Sequence, residues 1–138
     1  MDTGHWYFPT TFDPTTAFGF VYCITRTPTG KSYIGKKNFW SRTRKAVKGK
    51  KRKQTIISES NWKEYTSSSN QVNEDIKKFG KDQFQFLILS VHKTKQELDF
   101  SETKTQWQLD VTSSDKFYNG RIEPIRHNQY TKGKVHFT

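Results

Sequence analysis

The sequence predicts an α/β (α+β) fold: a small, mainly antiparallel three-stranded sheet flanked by helices. Three observations predict it. Two strand-like runs, residues 18–25 and 31–34, are joined by a four-residue turn signal. Two later stretches carry apolar residues at helical spacing behind capping-box residues. Between them, residues 84–89 read as a third strand. With 138 residues the chain has room for a single domain, 1–138, around one modest core.

Residues 1–16 are aromatic and turn-rich, with Trp6, Tyr7, Phe8, Pro9, Phe12 and Pro14, and read as an arm packed irregularly on the domain. Phe18 to Thr25 reads as a strand through Phe18, Phe20, Val21, Tyr22 and Ile24. In Thr27-Pro28-Thr29-Gly30, proline fixes φ and glycine is free to take positive φ, so the chain turns. Lys31 to Ile34 returns, closing a hairpin over 18–34. Residues 42–53 form a charge run whose first part suggests a short helix, interrupted at Gly49, and whose remainder suggests a mobile loop. Ser68-x-x-Gln71 reads as a capping box opening a helix with Val72, Ile76 and Phe79 on one face and Gly80 as its stop. Phe84, Phe86 and Ile88 share one side of the next strand and Leu87 and Leu89 the other, which predicts a central strand covered on both faces. Thr94-x-x-Glu97 opens a second helix, running to about Leu109, with Leu98, Glu102, Thr105 and Leu109 on one face. From Asp115 onward the chain is turn-rich and polar, and 120–138 reads as a tail.

Composition narrows the function. Lys and Arg number 24 against 13 Asp and Glu, a net charge of +11 with a pI near 9.8, which points to a polyanionic partner, most often nucleic acid. Hydrophobic residues are 31% and mean hydropathy is −0.95. No run approaches the roughly 18 apolar residues of a membrane span, and no N-terminal stretch reads as a secretory signal. A membrane or secreted protein is therefore not expected. Aromatics at 15% can supply a core and argue against disorder. The single cysteine, Cys23, cannot form an internal disulfide or a cysteine-rich zinc site, and its apolar neighbours read it as a small buried hydrophobe. A reducing compartment is expected.

Two features stand out chemically. Glu102 lies on the apolar side of its helix, between Leu98 and Leu109. It is either a partly exposed residue at the stripe's edge or a metal ligand, since one carboxylate with waters and substrate phosphate can hold Mg²⁺. Across the hairpin, Tyr22 and Tyr33 form either a packed aromatic pair or part of a site, because Gly35, Lys36, Lys37 and Arg42 follow closely. Glycine permits close approach, and cations with phenols suit a phosphodiester. His5, His92, His127 and His136 fall in no metal or catalytic spacing and read as surface or DNA-contacting residues. No phosphate-loop glycine pattern supports a kinase or nucleotide hydrolase.

Phe20-Val21-Tyr22, followed eleven residues later by Tyr33-Ile34-Gly35, resembles the paired signature of the GIY-YIG nuclease superfamily. Asn38-Phe39-Trp40-Ser41-Arg42 is similar to that family's helix start, which delivers an arginine. Lys78-Phe79-Gly80-Lys81-Asp82-Gln83-Phe84 with Leu87-Ile88-Leu89 resembles its helix, glycine turn and third strand. Glu102 matches its metal-binding glutamate, and Tyr118-Asn119 its late Tyr-Asn element. The resemblance covers roughly residues 17–122, and the surroundings of Trp62, Tyr65 and Ser67-Ser68-Ser69 resemble small phage-borne members related to homing endonucleases. Three departures stand beside it: the first tripeptide is Phe-Val-Tyr, Arg42 falls one residue short of the commonest spacing so that Arg44 is a rival, and the basic insertion 44–53 is not a general family feature.

The resemblance implies a metal-dependent DNA endonuclease that hydrolyses phosphodiesters and leaves a 5′-phosphate. Glu102 would hold Mg²⁺ (or Mn²⁺). Tyr22 would orient or deprotonate the attacking water, with Lys36 and Arg42 favouring its phenolate. Tyr33 would hydrogen-bond water or phosphate, Arg42 would clamp phosphate oxygens, and Asn119 would orient a phosphate or the site's hydrogen bonds. Lys37, Arg44, Lys45, Lys48, Lys50, Lys51, Arg52 and Lys53 would grip double-stranded DNA. The protein would act as a monomer or a DNA-induced dimer in the cytoplasm, that of the host cell if phage-encoded. The competing reading is a catalytically inactive basic nucleic-acid-binding module on the same scaffold.

Overall fold

The computed structural model describes residues 2–122. Aromatic and β-branched residues carry the chain into strand β1 (Gly19–Arg26), and Gly30, at φ +73, completes the turn that returns it as β2 (Lys31–Asn38). A second hairpin follows at once, β3 (Trp40–Lys45) and β4 (Gln54–Glu59). Helix α1 (Asn70–Phe79), strand β5 (Phe84–His92) and helix α2 (Lys95–Gln108) complete the fold. The main sheet has three antiparallel strands in the order β2-β1-β5, and β3 with β4 forms a separate two-stranded sheet. The expected α+β class, with a three-stranded antiparallel sheet and helices, is the one observed.

Alternation along β1 builds two cores. Phe20, Tyr22 and Ile24 face an aromatic cluster with Trp6, Phe39, Trp62, Val72, Phe86 and Ile88. Val21 faces the other way and packs with Ile34, Leu98 of α2 and Val111. The N-terminal segment closes the aromatic side: Trp6 is buried, and Tyr7 exchanges backbone hydrogen bonds with Phe86 and Ile88 at 2.9 Å each. That single bridge covers part of the β5 edge.

The structure corrects five local expectations. The central strand is β1, not the one over 84–89, which lies at an edge. A bulge shifts the β1–β5 register between Val21 and Tyr22, leaving Leu89 as an extra residue on β5, and its side chain is exposed. The segment around Arg42 is strand rather than helix, and 42–53 is not simply a loop. Thr43, Thr55, Ile56 and Ile57 suit a pleated ribbon, and Trp40–Lys45 pairs with Gln54–Glu59. Ser69, not Ser68, caps α1, its hydroxyl accepting from the Val72 N–H. On α2 the buried side turns toward Glu102, Thr103 and Gln106; Leu109, the C-cap just past the helix, is exposed. Thr94 does cap α2, accepting from the Glu97 N–H. Cys23 is only half-buried, with Sγ 3.4 Å from the Thr25 hydroxyl.

His5 is also not a surface residue. Its ring stacks on Phe86 at 3.9 Å between centroids, and its Nε2 donates to the Tyr65 carbonyl. Burial, aided by the Lys81 charge, pulls its pKa down from 6.5 to about 4. The folded state thus binds the His5 proton less readily than the unfolded chain does. Stability present above pH 6.5 is lost as pH falls toward about 4. Thermal melts across this range should show a smaller decline for His5→Asn than for the parent; equal slopes would mean that His5 titrates normally. His92 pairs with Ser90, while His127 and His136 lie outside the described residues, as does the expected tail beyond Ile122.

Candidate active site

The site begins with a steric requirement. Tyr22 on β1 lies opposite Gly35 on β2, and a Cβ built on Gly35 would sit 2.6 Å from the Tyr22 hydroxyl and 2.7 Å from its ring. Only glycine lets the phenol lie across β2, the edge strand. Gly35→Ala should therefore displace Tyr22 and destabilise the fold by about 1–3 kcal/mol, the usual cost of overpacking. Denaturant melts check this, and an unchanged midpoint would show that the strand yields freely.

Aromatic neighbours surround the Tyr22 ring, Phe20 among them at 6.1 Å between centroids. Trp6 lies 5.1 Å away, and Tyr33 and Tyr65 lie 6.1 Å away, centroid to centroid. Burial first, then the Tyr65 and Tyr33 phenols, push the Tyr22 pKa well above 10; a Ser67 hydrogen bond pulls the other way. Ser67 is buried and held at φ +104, a strained conformation for a non-glycine residue. Lys37 places its ammonium 4.2 Å from the Tyr65 ring centroid, and burial lowers its pKa.

From the other face of the sheet, α2 contributes acids. Lys36 makes a close ion pair with Asp99 and lies 3.8 Å from Glu102, while Lys95 reaches the second Asp99 oxygen at 3.2 Å. Glu102 is 5% exposed. The Lys36 charge is thus committed to carboxylates rather than to the Tyr22 phenol. Asp99 and Lys95 escaped the sequence reading; their signal was the spacing Lys95-x-x-x-Asp99-x-x-Glu102, which puts three charges on adjoining turns of one helix.

Asn119 lies behind the strand, not toward solvent. Its Oδ1 accepts from the Ile34 N–H at 3.0 Å, and its Nδ2 donates to the Ile34 carbonyl at 2.8 Å. Gln106 donates to the same carbonyl at 3.1 Å. These amides stand in for a missing strand partner on the β2 edge, fixing the backbone between Tyr33 and Gly35. Neighbouring Tyr118 donates to Asp75 at 2.7 Å, and burial together with that carboxylate pushes its pKa up to about 12.

At the end of β2 a cleft of about 910 Å³ opens beside these groups. Lys36, Lys37, Arg42 and Lys95 contribute to its lining, with no carboxylate among the described lining residues. Arg42 is therefore at the cleft, whereas Arg44 is not. Lys45, Lys48, Lys50, Lys51, Arg52 and Lys53 are exposed on β3, its turn and the approach to β4. The arrangement can bind a phosphate between cations while presenting a buried carboxylate and a phenol at the strand edge.

Among the described residues no three His, Cys, Asp or Glu side chains group as a metal cage. Glu102 nevertheless fits Mg²⁺ or Mn²⁺ chemically: it is a hard oxygen donor, and such ions often keep waters and take substrate phosphate oxygens. No helix among the described residues is long and apolar enough to cross a membrane.

A family model described as "Putative endonuclease segE, GIY-YIG domain" matches residues 6–122. No curated protein and no solved structure gives a significant match. The family is one of nucleases that generally use divalent metal ions, which implies nuclease activity and a DNA substrate for its members. Matched over most of its length and built on the same kind of sheet, the chain belongs to the GIY-YIG nuclease superfamily.

Proposed function

We propose that this protein is a metal-dependent DNA endonuclease, of the small phage-borne kind related to homing endonucleases. The observation that carries the reading is Glu102: a carboxylate 5% exposed and 3.8 Å from the ammonium of Lys36, a residue that lines the cation-rich cleft. A helix has no packing reason to bury an acid there. A Mg²⁺ or Mn²⁺ ion held by Glu102 would polarise the phosphodiester and neutralise developing charge.

The chain's own groups divide the remaining work. Arg42 clamps non-bridging phosphate oxygens from the cleft wall, a task suited to its planar fork. Tyr22 keeps its proton, because burial and neighbouring phenols oppose ionisation, so it orients the attacking water by hydrogen bonding rather than as a phenolate base. Tyr33, its ring centroid 6.1 Å from that of Tyr22, adds a second phenol. Asp99 restrains Lys36, and Asn119 with Gln106 keeps the Gly35 backbone in line. Asn119 on this account is a positioning residue that touches backbone, not phosphate.

The test is product chemistry. Cleaved DNA should carry 5′-phosphates and 3′-hydroxyls, so a ligase should rejoin compatible ends or nicks without kinase treatment. Products bearing 3′-phosphates would contradict water attack on the phosphodiester in this orientation.

A further inference from the structure

We propose that the β3–β4 ribbon reads DNA sequence by entering the major groove, with Arg44 contacting guanine. The inference rests on the nuclease reading and adds a specificity element to it. Three observations on the ribbon carry it.

The first is exposure. All of β4 and β3 beyond Trp40 are exposed, and among the described residues both strands pair only with each other. A two-stranded hairpin alone is marginally stable in water. This one is rooted instead: Phe39 is fully buried at its base, 4.9 Å from the Trp62 ring, and Ser60 donates to the Asn38 and Phe39 carbonyls. A rigid root with a bare arm suits an element that completes its burial against a partner.

The second is charge. Between Trp40 and Glu59 the chain places eight of its 24 basic residues and one acid, Glu59. The complementary surface is a polyanion.

The third is shape and register. Six-residue strands span roughly 20 Å, and paired strands lie about 4.8 Å apart. With side chains, such a ribbon fits the B-form major groove, about 12 Å wide, but not the minor groove, about 6 Å wide. Alternation puts Arg42 and Arg44 on one face, opposite Ile57 and Thr55. Arg42 and Ile57 line the cleft, so that face runs continuously from the reactive phosphate outward. Arg44 lies one step beyond, placed to pair bidentately with guanine O6 and N7. The exposed Ile57 and the Thr55 methyl can meet thymine methyls. The lysines of the turn act as point charges on phosphates and add no base preference.

The experiment selects bound duplexes from a library with a randomised centre, in EDTA, using the full chain and the Arg44→Ala variant. The parent should enrich a motif containing guanine. Dimethyl sulfate methylation of that guanine at N7 should weaken parent binding roughly five- to a hundred-fold. Arg44→Ala should keep its circular dichroism and residual non-specific binding, yet lose both the motif and the methylation sensitivity. No enriched motif in the parent, the same sensitivity in the variant, or equal binding to A-form double-stranded RNA of the selected sequence would each overturn the proposal. If DNA is cleaved while the proposal fails in these ways, the nuclease reading stands and the ribbon supplies only charge. If the parent neither binds nor cleaves DNA, both readings fall.

Discussion

Glu102→Gln is expected to lose metal-dependent cleavage, by roughly a hundredfold or more, while the fold survives. The substitution keeps shape and volume and removes only the charge. Several kcal/mol of transition-state stabilisation go with a metal ion's Lewis acidity, and each ~1.4 kcal/mol is tenfold in rate. Removing one partner of a buried ion pair is usually destabilising because the other charge is stranded. Lys36 escapes that cost, since Asp99 already holds its ammonium. A melting temperature near the parent's is therefore expected alongside the lost rate. DNA affinity should hold or rise, because a negative charge beside the cleft has gone. Plasmid cleavage, thermal melts and gel shifts on the same preparations check the three parts. Parent-like cleavage by Glu102→Gln would remove Glu102 from the metal site.

Tyr22→Phe should have the second-largest effect. The ring contacts with Trp6, Tyr33 and Tyr65 remain, and only the hydroxyl leaves. Stability should change by about 1 kcal/mol, the scale of one hydrogen bond. Turnover should fall by about two orders of magnitude or more if that hydroxyl orients the attacking water. The split between a small stability change and a large rate change separates this role from aromatic packing. Single-turnover cleavage at saturating protein measures it, and a parent-like rate would leave Tyr22 as a core residue only.

The first hairpin and its turn were legible because proline, glycine and alternating apolar residues all point to the same local geometry, although the returning strand runs on past Ile34 to Asn38. Glu102 was legible as an anomaly, an acid among apolar neighbours. Other parts were not. The strand over 84–89 looked central because five of its residues are apolar, but the bulge beside Tyr22 turns Leu89 outward, and bulges leave little trace in sequence. The β3–β4 ribbon was hidden by its lysines and arginines, which oppose strand propensity and leave no buried face to create period-two alternation. Gln106 and Asn119 were obscured for a related reason. They are polar residues whose burial is offset by the free backbone edge of β2, a tertiary feature. The helical spacing of Lys95, Asp99 and Glu102 groups the acids, but that Asp99 holds Lys36 is a tertiary feature.

On this mechanism the scaffold hydrolyses DNA with a divalent metal rather than merely binding it. The most direct test is conversion of supercoiled plasmid by the full chain with Mg²⁺ or Mn²⁺, against a parallel reaction in EDTA. Nicked or linear product with metal and none in EDTA is the predicted result. Plasmid that shifts on a gel in complex with the protein, yet remains supercoiled with either metal, would contradict it and identify a basic DNA-binding module on a nuclease fold.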